Sequence, residues 1–188
     1  MRKNKTYDDR ELLLMLRGNK KESSLAFEYL YNRYSQKIYA YCKVVLNGTQ
    51  ATDDVFHDTF VKFYNYVRAN DSEIQSIKGY LIMTARNLCL NHKKAKKPKV
   101  DLEYIDQEYQ DTINYERKDL FDILMKAVDL LDEIYKEAFV LKKIDGFTYK
   151  EISEILDITV EGAKSRVTRA RAKLNNILKP YIKEIKNI

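Results

Sequence analysis

The chain has 188 residues, 45% of them apolar, and a formal net charge of +6. That length suits one medium domain or two small ones, and that composition supports a packed core rather than a disordered chain. No apolar run is long enough to cross a bilayer, and the basic amino terminus MRKNKTYDDRE lacks the apolar centre of a secretory signal.

Glycine is scarce, only Pro98 and Pro180 occur, and apolar residues recur at steps of three and four, so the expected class is all-α. A short helix over 7–16 has Thr6 or Asp8 as its cap and Gly18-Asn19 as its stop. A long helix over about 24–46 turns Ala26, Leu30, Tyr34, Ile38, Tyr41, Cys42 and Val45 inward and ends at Asn47-Gly48. The third, over 51–67, has Asp53 and Asp54 in its first turn and Val55, Phe56, Phe60, Phe63, Tyr64 and Val67 as apolar surface. After a polar stretch over 68–75, a fourth helix starts near Ser76 or Ile77 and turns Ile77, Leu81, Ala85 and Leu88 inward. It dissolves into the basic run Lys93-Lys94-Ala95-Lys96-Lys97-Pro98.

Residues 96–111 read as a linker, with charge runs, a proline and weak helical period, made adhesive by Tyr104, Ile105 and Tyr109. Its acidic residues Asp101, Glu103, Asp106, Glu108 and Asp111 separate two basic concentrations, at 86–99 and 164–186. Blocks of alternating sign suggest two nucleic-acid-facing modules on a tether with a different partner. Cys42 and Cys89 fall in apolar helical patterns and read as buried thiols, in keeping with a reducing cytoplasm. His57 and His92 form no metal-ligand spacing with them, so neither metal nor cofactor is expected.

From Leu120 the helical period returns. Leu120, Phe121, Leu124, Ala127, Val128, Leu131, Tyr135, Ala138, Phe139 and Leu141 suit two helices broken near Leu131-Asp132 and ended by Asp145-Gly146. Thr148-Tyr149-Lys150-Glu151 then fits a capping box, with the Thr148 hydroxyl and Glu151 carboxylate each accepting from the other residue's N–H. Asp157-Ile158 forms a turn, and Thr159 caps a helix over 160–178. That helix repeats Val160, Ala163, Val167, Ala170, Leu174 and Ile177 on one side and is strongly basic elsewhere. Two capped helices at a tight turn, the second basic, form a helix-turn-helix, which lays its second helix in the DNA major groove.

These words resemble a known family. Asp145-Gly146, Thr148-Tyr149-Lys150-Glu151-Ile152, Lys164-Ser165-Arg166 and Arg169-Ala170-Arg171 match region four of small ECF (extracytoplasmic-function) sigma factors of the sigma-70 family. Ala26-Phe27 through Arg33-Tyr34, the run Asp53-Asp54-Val55-Phe56-His57-Asp58-Thr59-Phe60, and the run Gly79-Tyr80-Leu81-Ile82-Met83-Thr84-Ala85-Arg86-Asn87 resemble region two. The resemblance implies two small helical domains, region two over 8–95 and region four over 120–185, on a flexible linker over 96–119. It also implies a non-enzymatic initiation factor whose partners are core RNA polymerase, promoter DNA and an anti-sigma factor.

By the same resemblance, Lys164, Ser165, Thr168 and Arg169 face bases and nearby phosphates of the minus-thirty-five element, and Lys142, Arg166 and Arg171 hold its backbone. Lys78, Tyr80, Arg86, Asn87, Lys93 and Lys94, with the loop over 72–78, serve the melted minus-ten strand. Asp54, His57 and Asp58 share the helix face that grips the polymerase clamp. Departures from the family pattern are His57 for glutamine, Tyr64 and Tyr80 for tryptophan, Asp132 for proline, and Glu161-Gly162-Ala163 for Gly-Thr-Val. A stand-alone helix-turn-helix regulator is the alternative, expected as a dimer on a palindromic site. A nuclease would need Asp53, Asp54 and Asp58 as metal ligands, but they lie on one helix without a supporting cluster.

Overall fold

The computed structural model describes residues 7–71, 74–95, 117–144 and 146–185, with side chains described up to 71, over 74–95 and 123–144, and over 146–180. The adhesive residues Tyr104, Ile105 and Tyr109 lie outside the described residues, as do Ser72 and Glu73 of the loop. The described residues form eight helices and no strand, in two compact units divided after Asn91.

In the first unit α1 (Asp9–Arg17) is opened by Asp8 in a reciprocal capping box with Glu11. The second helix, α2 (Lys20–Val45), starts earlier than the sequence pattern suggests. Gly18-Asn19 ends α1, and Asn19 also opens α2: its side chain accepts from the N–H groups of Lys21 and Glu22, and the Glu22 carboxylate accepts from the Asn19 N–H. Asparagine is both a turn former and a strong N-cap, and here one residue does both jobs. Next come α3 (Ala51–Ala69) and α4 (Ile77–Ala95), whose last turn, from His92, continues past the division between the units.

The first helix packs on α2 and α3, and α2 packs on α3. Leu12, Leu16, Leu30, Ile38, Tyr41 and Phe63 of these helices are fully buried, as are Ile77, Leu81 and Ile82 of α4. Two arginines tie helix ends reciprocally: Arg17 Nε donates to the Val67 carbonyl and Arg68 Nη1 to the Leu16 carbonyl. These bonds satisfy carbonyls that helix termini leave without partners. Tyr34, expected in the core, is half-buried because its hydroxyl donates to Asp9. Burial first, then the Asp9 carboxylate, raises its pKa well above the usual phenol range. On α4 the core side includes Ile82 and Cys89, while Leu88 is only half-buried.

The second unit contains α5 (Arg117–Asp129), α6 (Glu133–Lys143), α7 (Tyr149–Leu156) and α8 (Val160–Ile185). The last helix packs against the three before it. Pro180 sits inside α8, so the helix runs on past its expected end although the bond to the Asn176 carbonyl is missing there. Gly146 has φ +71°, a left-handed turn that brings the chain back so that the Phe147 N–H reaches the Leu141 carbonyl and its ring enters the core.

Lys136 is 2% exposed, with its ammonium 3.2 Å from Asp129. A lysine so deeply buried must be held by its partners, because desolvating a charge is costly. Asp129→Ala is therefore expected to destabilise this unit by about 1–3 kcal/mol, whereas Lys136→Met leaves it within about 1 kcal/mol of wild type or more stable. Hydrogen exchange of the α6 amides measures both effects.

Candidate nucleic-acid interface

The helix-turn-helix is built by its caps. The Thr148 hydroxyl accepts from the Glu151 N–H at 3.2 Å, and the Glu151 carboxylate accepts from the Thr148 N–H at 2.7 Å. Asp157 closes α7 in the left-handed region at φ 53°, and the Ile158 N–H reaches the Ser153 carbonyl. Thr159 accepts from the Gly162 N–H at 3.0 Å. A Cβ on Gly162 would lie 3.1 Å from that hydroxyl, so glycine leaves the cap room to form.

Ala163, Val167, Ala170 and Leu174 are buried and fix the rotation of α8, whereas Val160, expected in the same stripe, is 38% exposed at the start of the helix and Ile177 is half-buried. At 100° per residue, Ser165, Thr168 and Arg169 then fall opposite this stripe, and all three are exposed. Lys164 and Arg171, also exposed, flank it on one side; the half-buried Arg166 and the exposed Lys173 flank it on the other. Lys142 lies off this helix, with its ammonium donating to the Phe147 carbonyl at 3.0 Å and sitting 4.6 Å from the centre of the Tyr149 ring. That contact joins α6 to the start of α7.

Lys173 is not among the sequence-selected residues, and its role is internal. Its ammonium pairs with Asp132 and lies over the Tyr135 ring, 4.9 Å from the centroid. The hydrogen bond from Lys173, then its charge, lowers the Asp132 carboxyl below its ordinary range, and the same pair raises Lys173. Asp132, standing where the resemblance leads one to expect proline, thus ties the α5–α6 junction to α8.

In the first unit, Asp54, His57 and Asp58 are all exposed on α3, opposite Val55, Thr59 and Phe63. The His57 ring packs against Phe56. The exposed Asp53 acts on the Tyr39 hydroxyl and raises its pKa, chiefly by its charge. The fourth helix is capped by Ser76, whose hydroxyl accepts from the Gly79 N–H at 3.0 Å. Tyr80, Met83, Asn87 and Lys94 recur at three, four and seven along one face of α4, turned away from the core. Arg86 and Lys93 occupy the neighbouring flank, and Lys78 falls outside the stripe.

Tyr80 is half-buried and meets two rings of α3, Phe63 at 5.7 Å and Tyr66 at 4.9 Å between centroids. Motif reading passes over Tyr66 and gives Met83, inside the run over 79–87, no role. The recurrence 80, 83, 87, 94 singles out Met83 only once the buried side of α4 is known. Tyr66 has no sequence signal at all, since its neighbour lies on another helix. Among the described residues no group of His, Cys, Asp and Glu could hold a metal ion, and no helix is long and apolar enough to cross a membrane.

Residues 30–98 match the model of Sigma-70 region 2, and residues 121–174 match Sigma-70, region 4. The chain is 29% identical over 153 residues to the RNA polymerase sigma factor SigZ of Bacillus subtilis, covering 80% of this chain and 86% of that one. It is 26% identical over 174 residues to the ECF RNA polymerase sigma-E factor of Escherichia coli K12, covering 84% and 89%. Two solved structures share the fold. One is the sigma factor RpoE in complex with the anti-sigma factor NepR from Bartonella quintana, at TM-score 0.64, 20% identity and coverage of 81% and 96%. The other is CnrH in complex with the cytosolic domain of CnrY, at TM-score 0.66, 22% identity and coverage of 92% and 97%.

The Asp132–Lys173 pair generates a pH prediction. A carboxyl lowered in the folded state contributes stability that is present above its unfolded pKa, about 4, and is lost as pH falls through the lower folded value. The thermal midpoint of Asp132→Asn should lie below that of the parent near neutral pH. The gap should close on acidification below about pH 4 and shrink with added salt, because both groups are solvent-exposed.

Proposed function

The chain belongs to the sigma-70 family of RNA polymerase factors, in its ECF group, and from that premise we propose how its residues divide promoter recognition between them. It is a non-enzymatic initiation factor that directs RNA polymerase to promoters. What carries the reading is the match of both regions in one chain. A free-standing regulator has no use for region 2.

In the proposed arrangement α8 enters the major groove of the minus-thirty-five element. Ser165, Thr168 and Arg169, opposite the buried stripe, meet base edges together with Lys164. Arg166 and Arg171, on the two flanks, reach phosphates on either side of the groove. Lys142 uses one of its three N–H donors on Phe147, which leaves two for a phosphate.

The other unit handles the opened strand. Tyr80 offers an aromatic surface, Asn87 reads base edges, and Lys78, Arg86, Lys93 and Lys94 hold phosphates. The exposed triplet Asp54, His57 and Asp58 meets the polymerase clamp. Because one fold neighbour was solved with an anti-sigma factor and another with the cytosolic domain of CnrY, we further propose an anti-sigma partner for this chain, acting in the cytoplasm.

Reconstitution with core polymerase tests the whole reading: promoter-specific run-off transcription is expected, and its failure would reject it. Arg169→Ala tests the base-reading role. It should weaken binding to the matched promoter on the order of tenfold or more, with little loss on scrambled DNA. Arg171→Ala should weaken both DNAs alike and lower the salt slope by about one. Equal losses on both DNAs for Arg169→Ala would remove it from the base-reading set.

A further inference from the structure

Three rings meet where α3 ends and α4 begins. Phe63 is fully buried and Tyr80 packs on it. Tyr66 lies on Tyr80 at 4.9 Å, with 33° between the ring planes. The Tyr80 hydroxyl hydrogen-bonds with the Thr84 side chain, and burial raises its pKa above the ordinary phenol value. Tyr80 is thus held by a core ring, by a hydroxyl on its own helix and by Tyr66. Its ring is therefore already engaged with Phe63 and with Tyr66.

Tyr66, half-buried like Tyr80, lies at the other side of this contact. One step along the α4 face, Met83 is 47% exposed. Asn87 and Lys94 follow it on the same face, both exposed. Ring, thioether, amide and ammonium in that order suit one unpaired nucleotide strand: a flat apolar surface for a base, a donor and acceptor for its edge, and a cation for phosphate. A purely structural Tyr66 would account for cover over Tyr80, but not for an apolar exposure that continues along α4.

We propose that Tyr66 and Tyr80 together form the stacking surface for an unpaired promoter base, with Tyr66 the ring that the base meets. Tyr66 is then a base-stacking residue of promoter opening, contributed by α3 rather than by the helix that carries the minus-ten motif. The inference rests on the assignment of α4 to the opened strand.

The test uses full-length protein in holoenzyme with core polymerase. The probe is a fork-junction DNA whose single-stranded arm is copied from a promoter that this holoenzyme opens and carries 2-aminopurine in the minus-ten segment. Tyr66→Leu keeps an apolar cover over Tyr80 but removes the π face. It is expected to bind the fork on the order of tenfold more weakly and to lose quenching of the probe. Tyr66→Phe is expected to restore both. Binding of a duplex carrying only the minus-thirty-five element serves as the fold control and should not change.

If Tyr66→Leu binds and quenches like the parent while Tyr80→Leu does not, the inference fails and the reading of α4 survives. If neither substitution alters binding or quenching, both fail. If Tyr66→Leu also weakens the duplex control, the effect is on folding, and the assignment of Tyr66 to stacking is overturned.

Discussion

The burial of Ala163, Val167, Ala170 and Leu174 is the contact on which the DNA-facing chemistry depends. A helix has one rotational setting for each stripe it buries, so sealing these four side chains against the preceding helices decides where every cation of α8 points. Small residues at 163 and 170 allow close approach, and the larger Val167 and Leu174 fill the remaining space. Capping then sets the axial position. Thr148, Glu151, Asp157 and Thr159 determine where α7 stops and α8 begins, and Gly162 makes room for the second cap. Lys173 and Asp132 pin one flank of the same helix. Cations that appear equivalent as a charge run thus divide into those that hold the helix and those that face outward.

The first unit solves a similar problem with aromatic side chains. Phe56, Phe60 and Phe63 of α3 face inward, leaving Asp54, His57 and Asp58 on the outside of the same helix. Tyr39, Phe56 and His57 lie ring against ring, so the exposed acidic face stands on a rigid aromatic base. At the far end of α3, Phe63 supports Tyr80 and Tyr66 lies over it. The chain has no tryptophan. Tyrosine at 64 and 80 retains aromatic packing: Tyr64 meets Phe27 edge-on and hydrogen-bonds with Ser23.

Much of this organisation was legible in the residues alone, because its causes are local. The capping box at Thr148, the turn at Asp157, the alternating steps of the α8 stripe and the all-helical pattern each depend on neighbours within one or two turns. What escaped depends on contacts between elements. The capping role of Asn19 was hidden behind its role as a stop, because turn formers and N-caps are the same residue types. Lys136 gave no hint of burial, since its carboxylate partner precedes it across a helix break. Nothing in a basic run separates Lys173, which is paired, from Arg169, which faces outward. The Tyr66–Tyr80 contact joins residues of two helices, and helical periodicity carries no information about such a pair.

The most direct test of the central claim is to map transcription start sites made by reconstituted holoenzyme on a randomised promoter library. A chain that reads DNA with two separately built units should select two sequence blocks at a fixed spacing upstream of one start. Start sites that share only one block, a palindrome bound without polymerase, or no defined start at all would contradict it.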